Sequence, residues 1–168
     1  MRLKMKNNIF DKLSETPVEQ FNEARDYAFH YLSYRPRSVL EIARRLKQRG
    51  YDSNTVTMVV EHLQNYKFLD DEAFTKMWIQ SRLNYKPSGR RKIYGELLQK
   101  GIDREIIERH LSEITMENEE LLAMALISKK CSKAILSYKK LEGFLIRRGF
   151  GSEIVRKVLT GHQEPDVK

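Results

Sequence analysis

Cysteine occurs once in this chain, at Cys131. A single thiol forms no internal disulfide and fits a reducing cytoplasm. Proline and glycine are also sparse, with 4 and 8 copies among 168 residues. That is too little punctuation for a small β-sandwich or barrel, whose short strands need frequent turn residues. Long apolar runs are missing as well. No stretch approaches the ~18 residues of a membrane span, and the basic start MRLKMKNNIF leads into no apolar leader segment. The histidines, His30, His62, His110 and His162, sit near no cysteine or carboxylate at metal-ligand spacing. KPSGRRK at Lys86–Lys92 lacks the GxxxxGKS or GxxxxGKT pattern of a phosphate loop, and no strand signal precedes it. The absences together predict a soluble cytoplasmic protein without catalytic residues, metal or cofactor: not an enzyme.

What the chain does hold is charge and helix signals. It is 40% hydrophobic and 32% charged, with a net charge of +8 and a pI near 9.5. A polyanion or an acidic protein surface is the natural partner of such a chain. Thr16–Glu19 reads TPVE, with Thr as N-cap, Pro at the first helical position and Glu placed for a capping box. The helix it opens runs towards Tyr34, carries Phe21, Ala24, Ala28, Tyr31 and Leu32 on one stripe, and stops at Pro36. SVLE at Ser38–Glu41 is a second capping box, for a helix ending at Gly50. Asp52 or Ser53 caps a third, with Val56, Val59, Val60 and Leu63 facing inward. The cycle then restarts. An Asp-capped helix runs from about Asp71 to Tyr85, a second is capped by Ser88 and stops at Gly101, and Asp103 caps a short one carrying Ile106, Ile107 and Leu111. A third round begins at Thr115, continues over roughly 134–148 and closes with a helix capped by Ser152.

The junctions repeat more faithfully than the helices. LKQRGYDSNTV, LLQKGIDREII and FLIRRGFGSEIV share one grammar. A leucine (Leu46, Leu97, Leu145) stands four residues before a glycine (Gly50, Gly101, Gly149), and a bulky apolar residue follows at once (Tyr51, Ile102, Phe150). This is the mark of a helix closing on a left-handed residue that glycine adopts cheaply, sealed by an apolar contact. The glycines are 51 and 48 residues apart, so the unit is a three-helix module. YRPRS at Tyr34–Ser38 and YKPSG at Tyr85–Gly89 are the joints between first and second helices of two such modules. The expected fold is all-α: three tandem three-helix repeats forming an elongated, curved, solenoid-like body. The expected boundaries are an N-terminal extension at 1–15, repeats at 16–69, 70–114 and 115–160, and a loose tail at 161–168.

Positive charge follows the same period. The segment from Arg35 to Arg49, with Arg35, Arg37, Arg44 and Arg45, carries a net +5. The segment from Arg82 to Lys100, with Arg82, Lys86, Arg90, Arg91, Lys92 and Lys100, also carries +5. The segment from Lys129 to Arg148, closing on Arg147 and Arg148, carries +6. One such run is usually a solvated helix face. Three in register predict a basic strip for a nucleic-acid backbone or a carboxylate-lined groove, and the named cations are its candidate contacts. Arg90, Arg91 and Lys92 stand at a helix N-terminus, where cations oppose the helix dipole, so an anionic partner explains them better than helix stability does.

The same residues carry a family resemblance. RSVLEIARRLKQRGY, LDDEAFTKMWIQSR and above all KPSGRRKIYGELLQKGID resemble the RecX family of recombinase regulators, over about Ala28–Leu159 and in three modules. In the central module Asp71, Phe74, Trp78, Arg82, Lys86, Pro87, Gly89, Arg90, Glu96, Lys100 and Gly101 fall on the family's pattern, as do Arg35, Arg37, Ser38, Glu41, Leu46 and Gly50 in the first. The third module departs most, with no proline at its first joint. The resemblance implies a protein that binds the bacterial recombinase RecA, lodges in the groove of its filament on single-stranded DNA, and restrains its ATPase and strand exchange. Expected partners are therefore the RecA filament and single-stranded DNA, with duplex DNA a further one, and no membrane; the chain is expected to be monomeric. A second reading is a helix-turn-helix-like DNA-binding protein. It predicts basic, polar third helices, whereas TVTMVVEHLQ and REIIERHL are largely apolar or acidic.

Overall fold

The computed structural model describes residues 16–132 and 136–161, and these form α-helices without a strand. In chain order they are α1 (Pro17–Tyr34), α2 (Val39–Gln48), α3 (Ser53–Asn65), α4 (Asp71–Asn84), α5 (Arg90–Gln99), α6 (Arg104–Ser112), α7 (Met116–Cys131), α8 (Tyr138–Arg147) and α9 (Ser152–Thr160). The expected N-terminal extension, and the expected tail beyond Gly161, lie outside the described residues.

Local chemistry sets most of the ends. α1, α2 and α7 open with reciprocal capping boxes, Thr16 with Glu19, Ser38 with Glu41 and Thr115 with Asn118. Asp52 and Asp103 cap α3 and α6, and the Asp70 carboxylate accepts the Glu72 and Ala73 amides at the start of α4. Three helices close the same way. Gly50, Gly101 and Gly149 have φ of 93°, 77° and 86°. The amides of Tyr51, Ile102 and Phe150 then donate back to the carbonyls of Leu46, Leu97 and Leu145 at 3.3, 3.2 and 3.2 Å. Each glycine amide donates to Lys47, Leu98 or Ile146 at 2.9 Å, completing a Schellman turn. The apolar pairs that seal these turns are all buried.

Three helix starts differ from the sequence reading. Gly89, not Ser88, is the N-cap of α5, and the buried Ser88 turns its hydroxyl onto the Lys86 carbonyl. Gly151, not Ser152, is the N-cap of α9. It occupies the repeat position that Asp52 and Asp103 hold, so the register of the module overrides the local capping preference of serine. α8 starts at Tyr138 after Ser137, not near 134; Leu136 and Ser137 are non-helical, and residues 133–135 lie outside the described ones.

The chain divides into two compact units, Met1–Phe74 and Thr75–Lys168, with the division inside α4. In the first, Ala24 and Ala28 of α1 close on Ile42 and Leu46 of α2 and on Val56, Val59 and Leu63 of α3, with Tyr51 and Leu69 completing the core. In the second, α5 packs on α6 around Ile93, Leu97 and Ile107. Ala123 and Ile127 of α7 pack with Leu141 and Leu145 of α8 and with Ile154, Val155, Val158 and Leu159 of α9. Small or aliphatic residues at helical spacing make these cores, as the stripe in each helix dictates.

Candidate interaction surface

The first and second helices of each repeat touch through one recurring slot, occupied by charge and aromatic rings. In the first unit Arg45 lies over the Tyr31 ring at 5.2 Å. One repeat on, Arg82 pairs with Glu96 at 2.5 Å. One further on, Lys130 lies over Phe144 at 4.6 Å. The positions are equivalent, but ring, cation and carboxylate change places between them. A neighbouring slot holds Arg49 over Tyr27 and Lys100 over Trp78, each at 5.0 Å. Trp78 is half-buried; its indole N–H donates to Glu96 at 3.0 Å and its face also carries Arg82 at 4.3 Å.

A second contact also recurs, and sequence reading missed it. The Asp71 carboxylate of α4 accepts the amide of Val39, the first residue of α2, at 3.0 Å. Burial raises the pKa of Asp71, the Val39 hydrogen bond pulls it back, and Asp70 adds to the rise. One repeat later Glu119 of α7 accepts the amide of Arg90, the first residue of α5, at 2.9 Å. The signal was available: Glu119 stands 48 residues after Asp71, the spacing between the second and third glycines. The rest of the α5 start is also taken. Gly89 donates to the Arg148 carbonyl at 2.9 Å and Arg91 to the Gly149 carbonyl at 3.2 Å. A Cβ on Gly89 would lie 2.4 Å from the Gly149 oxygen, and one on Gly149 would lie 2.4 Å from the Lys92 nitrogen. Two backbones meet here with no room for a methyl group. Negative carbonyls at the end of α8 face positive amides at the start of α5, an arrangement both helix dipoles favour. That start has no amide left for a phosphate and offers only its side chains.

The predicted contact cations accordingly divide. Arg35 forms a two-point bridge to Glu41, at 2.8 and 3.3 Å, and Arg37 stacks on Tyr31 at 3.9 Å with 12% of its side chain exposed. Arg82 is held by Glu96 and Trp78 as above. Arg90 pairs with Glu119 at 3.3 Å and donates to the Ile114 carbonyl. The Arg148 guanidinium donates to the Pro87 carbonyl at 3.2 Å and lies over Phe144. Arg45 and Lys100 rest on rings. Arg44, Lys86, Arg91, Lys92 and Arg147 are exposed, and their side chains meet no carboxylate or hydrogen-bond partner among the described residues. Two tyrosines outside the predicted set are exposed as well. Tyr34 and Tyr85, the first letters of the two repeated joint phrases, are 69% and 84% exposed, and the Tyr34 hydroxyl lies 3.0 Å from His30 Nε2. Among the described residues no three His, Cys, Asp or Glu gather as a metal site, and no helix is long and apolar enough to cross a membrane. His110 is buried, with Nδ1 3.2 Å from Glu113.

Helix triplets closed by left-handed glycines and laced by cation–ring contacts define an all-helical protein of three-helix domains. Residues 24–63 match the first three-helix domain of RecX and residues 70–111 the second. The regulatory protein RecX of Finegoldia magna is 31% identical over 150 residues, covering 84% of this chain and 72% of the relative. That of Chlorobium limicola is 36% identical over 143 residues, covering 83% and 89%. The crystal structure of RecX from Lactobacillus salivarius superposes with a TM-score of 0.76 at 20% identity, over 86% of this chain and 97% of that one. This chain belongs to the RecX family of regulatory proteins.

Proposed function

We propose that this protein binds the RecA recombinase filament assembled on single-stranded DNA and restrains its ATPase and strand exchange, and so regulates recombination and DNA repair. The observation that carries the reading is the pair Arg91 and Lys92. Both are exposed on the first turn of α5, and their side chains meet no carboxylate among the described residues. Cations at that end of a helix oppose its dipole, so they add nothing to the stability of α5 and suit an anionic partner instead. Arg44 on α2 is a comparable free cation in the first unit. Contacts from both units to successive protomers of a filament raise the effective concentration of each, so no single contact need be tight. Steering by exposed charge weakens as salt rises.

The test is inhibition of the DNA-dependent ATPase of RecA by Arg91→Ala combined with Lys92→Ala. The double variant is expected to fold normally and to need about tenfold more protein for half-inhibition, a loss of about 1.4 kcal/mol. Undiminished inhibition would remove this face as the contact. Arg90→Ala makes a poor probe, because Arg90 serves the fold. Competition among bare single strands, duplex and preformed RecA filaments separates the reading from DNA binding alone: preference for either bare DNA over the filament contradicts it.

A further inference from the structure

We propose that the groove bounded by the end of α4, α7 and α8 seats an acidic segment of a partner protein that presents an apolar side chain. The groove lies within the second unit and encloses about 480 Å³. Its floor is aliphatic, from Pro87, Leu122, Ala125 and Leu126. Its rim is cationic, from Lys86, Lys129, Lys130 and Arg148, and no carboxylate is among the lining residues. Lys86 and Lys129 are exposed with no acid partner among the described residues. The inference rests on reading this chain as a regulator that docks on another protein, and it names the chemistry of the docked segment.

Charge complementarity selects the occupant. Lysine and arginine donate hydrogen bonds and accept none, so the charged groups of the ligand must be acceptors, either carboxylates or phosphates. The floor then decides between them. Nucleobases carry N–H donors on their edges, and of the lining side chains only the Tyr85 hydroxyl can accept one. Buried donors left unsatisfied oppose binding. The Phe144 ring, the other aromatic surface of the groove, is already used by Lys130 at 4.6 Å and Arg148 at 5.4 Å. A leucine or phenylalanine side chain meets no such penalty against Leu122 and Leu126, and carboxylates flanking it would reach the rim lysines.

The experiment uses the full chain and a fluorescein-labelled peptide in which glutamates alternate with leucines, read by anisotropy. Saturable binding is expected, weakened by about tenfold or more when the leucines are replaced by serine. A similar loss is expected for Lys129→Glu combined with Lys130→Glu, and for Ala125→Glu, which places a carboxylate on the floor at an exposed position. Melting curves establish that these variants fold. Equal affinity for the serine peptide, or unaltered binding by the folded variants, would overturn the proposal. So would tighter binding of oligothymidylate than of the peptide at this groove, because the occupant would then be nucleic acid. Inhibition of the RecA ATPase is measured separately with the Arg91 and Lys92 variants, which leave the groove intact, so failure of one reading is distinct from failure of the other.

Discussion

A methyl group added to any of three glycines costs something different at each. At Gly50, with φ of 93°, an added Cβ meets nothing within 4 Å. Gly50→Ala therefore strains only the backbone, and urea titration of the first unit should show a loss of about 1 kcal/mol. Gly149 combines φ of 86° with the Lys92 backbone 2.4 Å away, so Gly149→Ala should cost about 3 kcal/mol in the second unit. Gly89 has an ordinary φ of −74°, and the whole effect of Gly89→Ala comes from its collision with the Gly149 carbonyl. Equal losses at Gly50 and Gly149 would contradict this account of the contact. At the same scale, Asp52 illustrates a pH effect. The Thr55 hydroxyl, then the Thr55 amide, hold the carboxyl of this exposed residue below the usual value, against a smaller opposing effect of desolvation. Because the native pKa is the lower one, the stabilisation is in place above the ordinary carboxylate range and is lost as pH falls through and below it. Asp52→Ala should therefore lose about 1 kcal/mol at neutral pH, with wild type and variant converging in acid. A gap that persists unchanged in strong acid would remove the cap as the cause.

Among the helices, ends controlled by adjacent residues were legible and ends controlled by distant ones were not. Each Schellman turn lies wholly within six consecutive residues, as from Leu46 to Tyr51, so its leucine, glycine and apolar partner are visible in the chain itself. The boxes at Thr16, Ser38 and Thr115 are equally local. The start of α5 is different, because its partners are Glu119 on α7 and the carbonyls that end α8. A serine beside a glycine reads as a cap only while that other backbone is out of sight. Glu119 has 8% of its side chain exposed and serves both the amide and the guanidinium of Arg90. Glu119→Ala leaves a partly buried cation without its acid and should cost about 3 kcal/mol in thermal or urea unfolding. Glu113→Ala, at an exposed position, should change stability by less than about 0.5 kcal/mol; comparable effects of the two would show that the α5 start does not depend on Glu119.

For the whole molecule, counting cations along the sequence located helix joints but could not separate charges used inside the chain from charges offered outside it. Arg82 and Glu96 lie on different helices, as do Arg90 and Glu119, so each cancellation exists only once the chain has folded. The exposed remainder, Arg44, Lys86, Arg91, Lys92 and Arg147, is a smaller set than the sequence implied. Two compact units, each with its own core, also predict independent responses. Gly149→Ala should lower the unfolding midpoint of the second unit while leaving that of the first within error, as read by amide exchange on each; a common shift in both would mean that they unfold as one. The meeting of Gly89 with Gly149 has a consequence in time as well as in energy. The opening amides of a helix ordinarily trade hydrogen for deuterium first, but those of Gly89, Arg90 and Arg91 are spoken for by residues far along the chain. Their labelling should be slow, and its onset should mark the moment at which the two strands of backbone part.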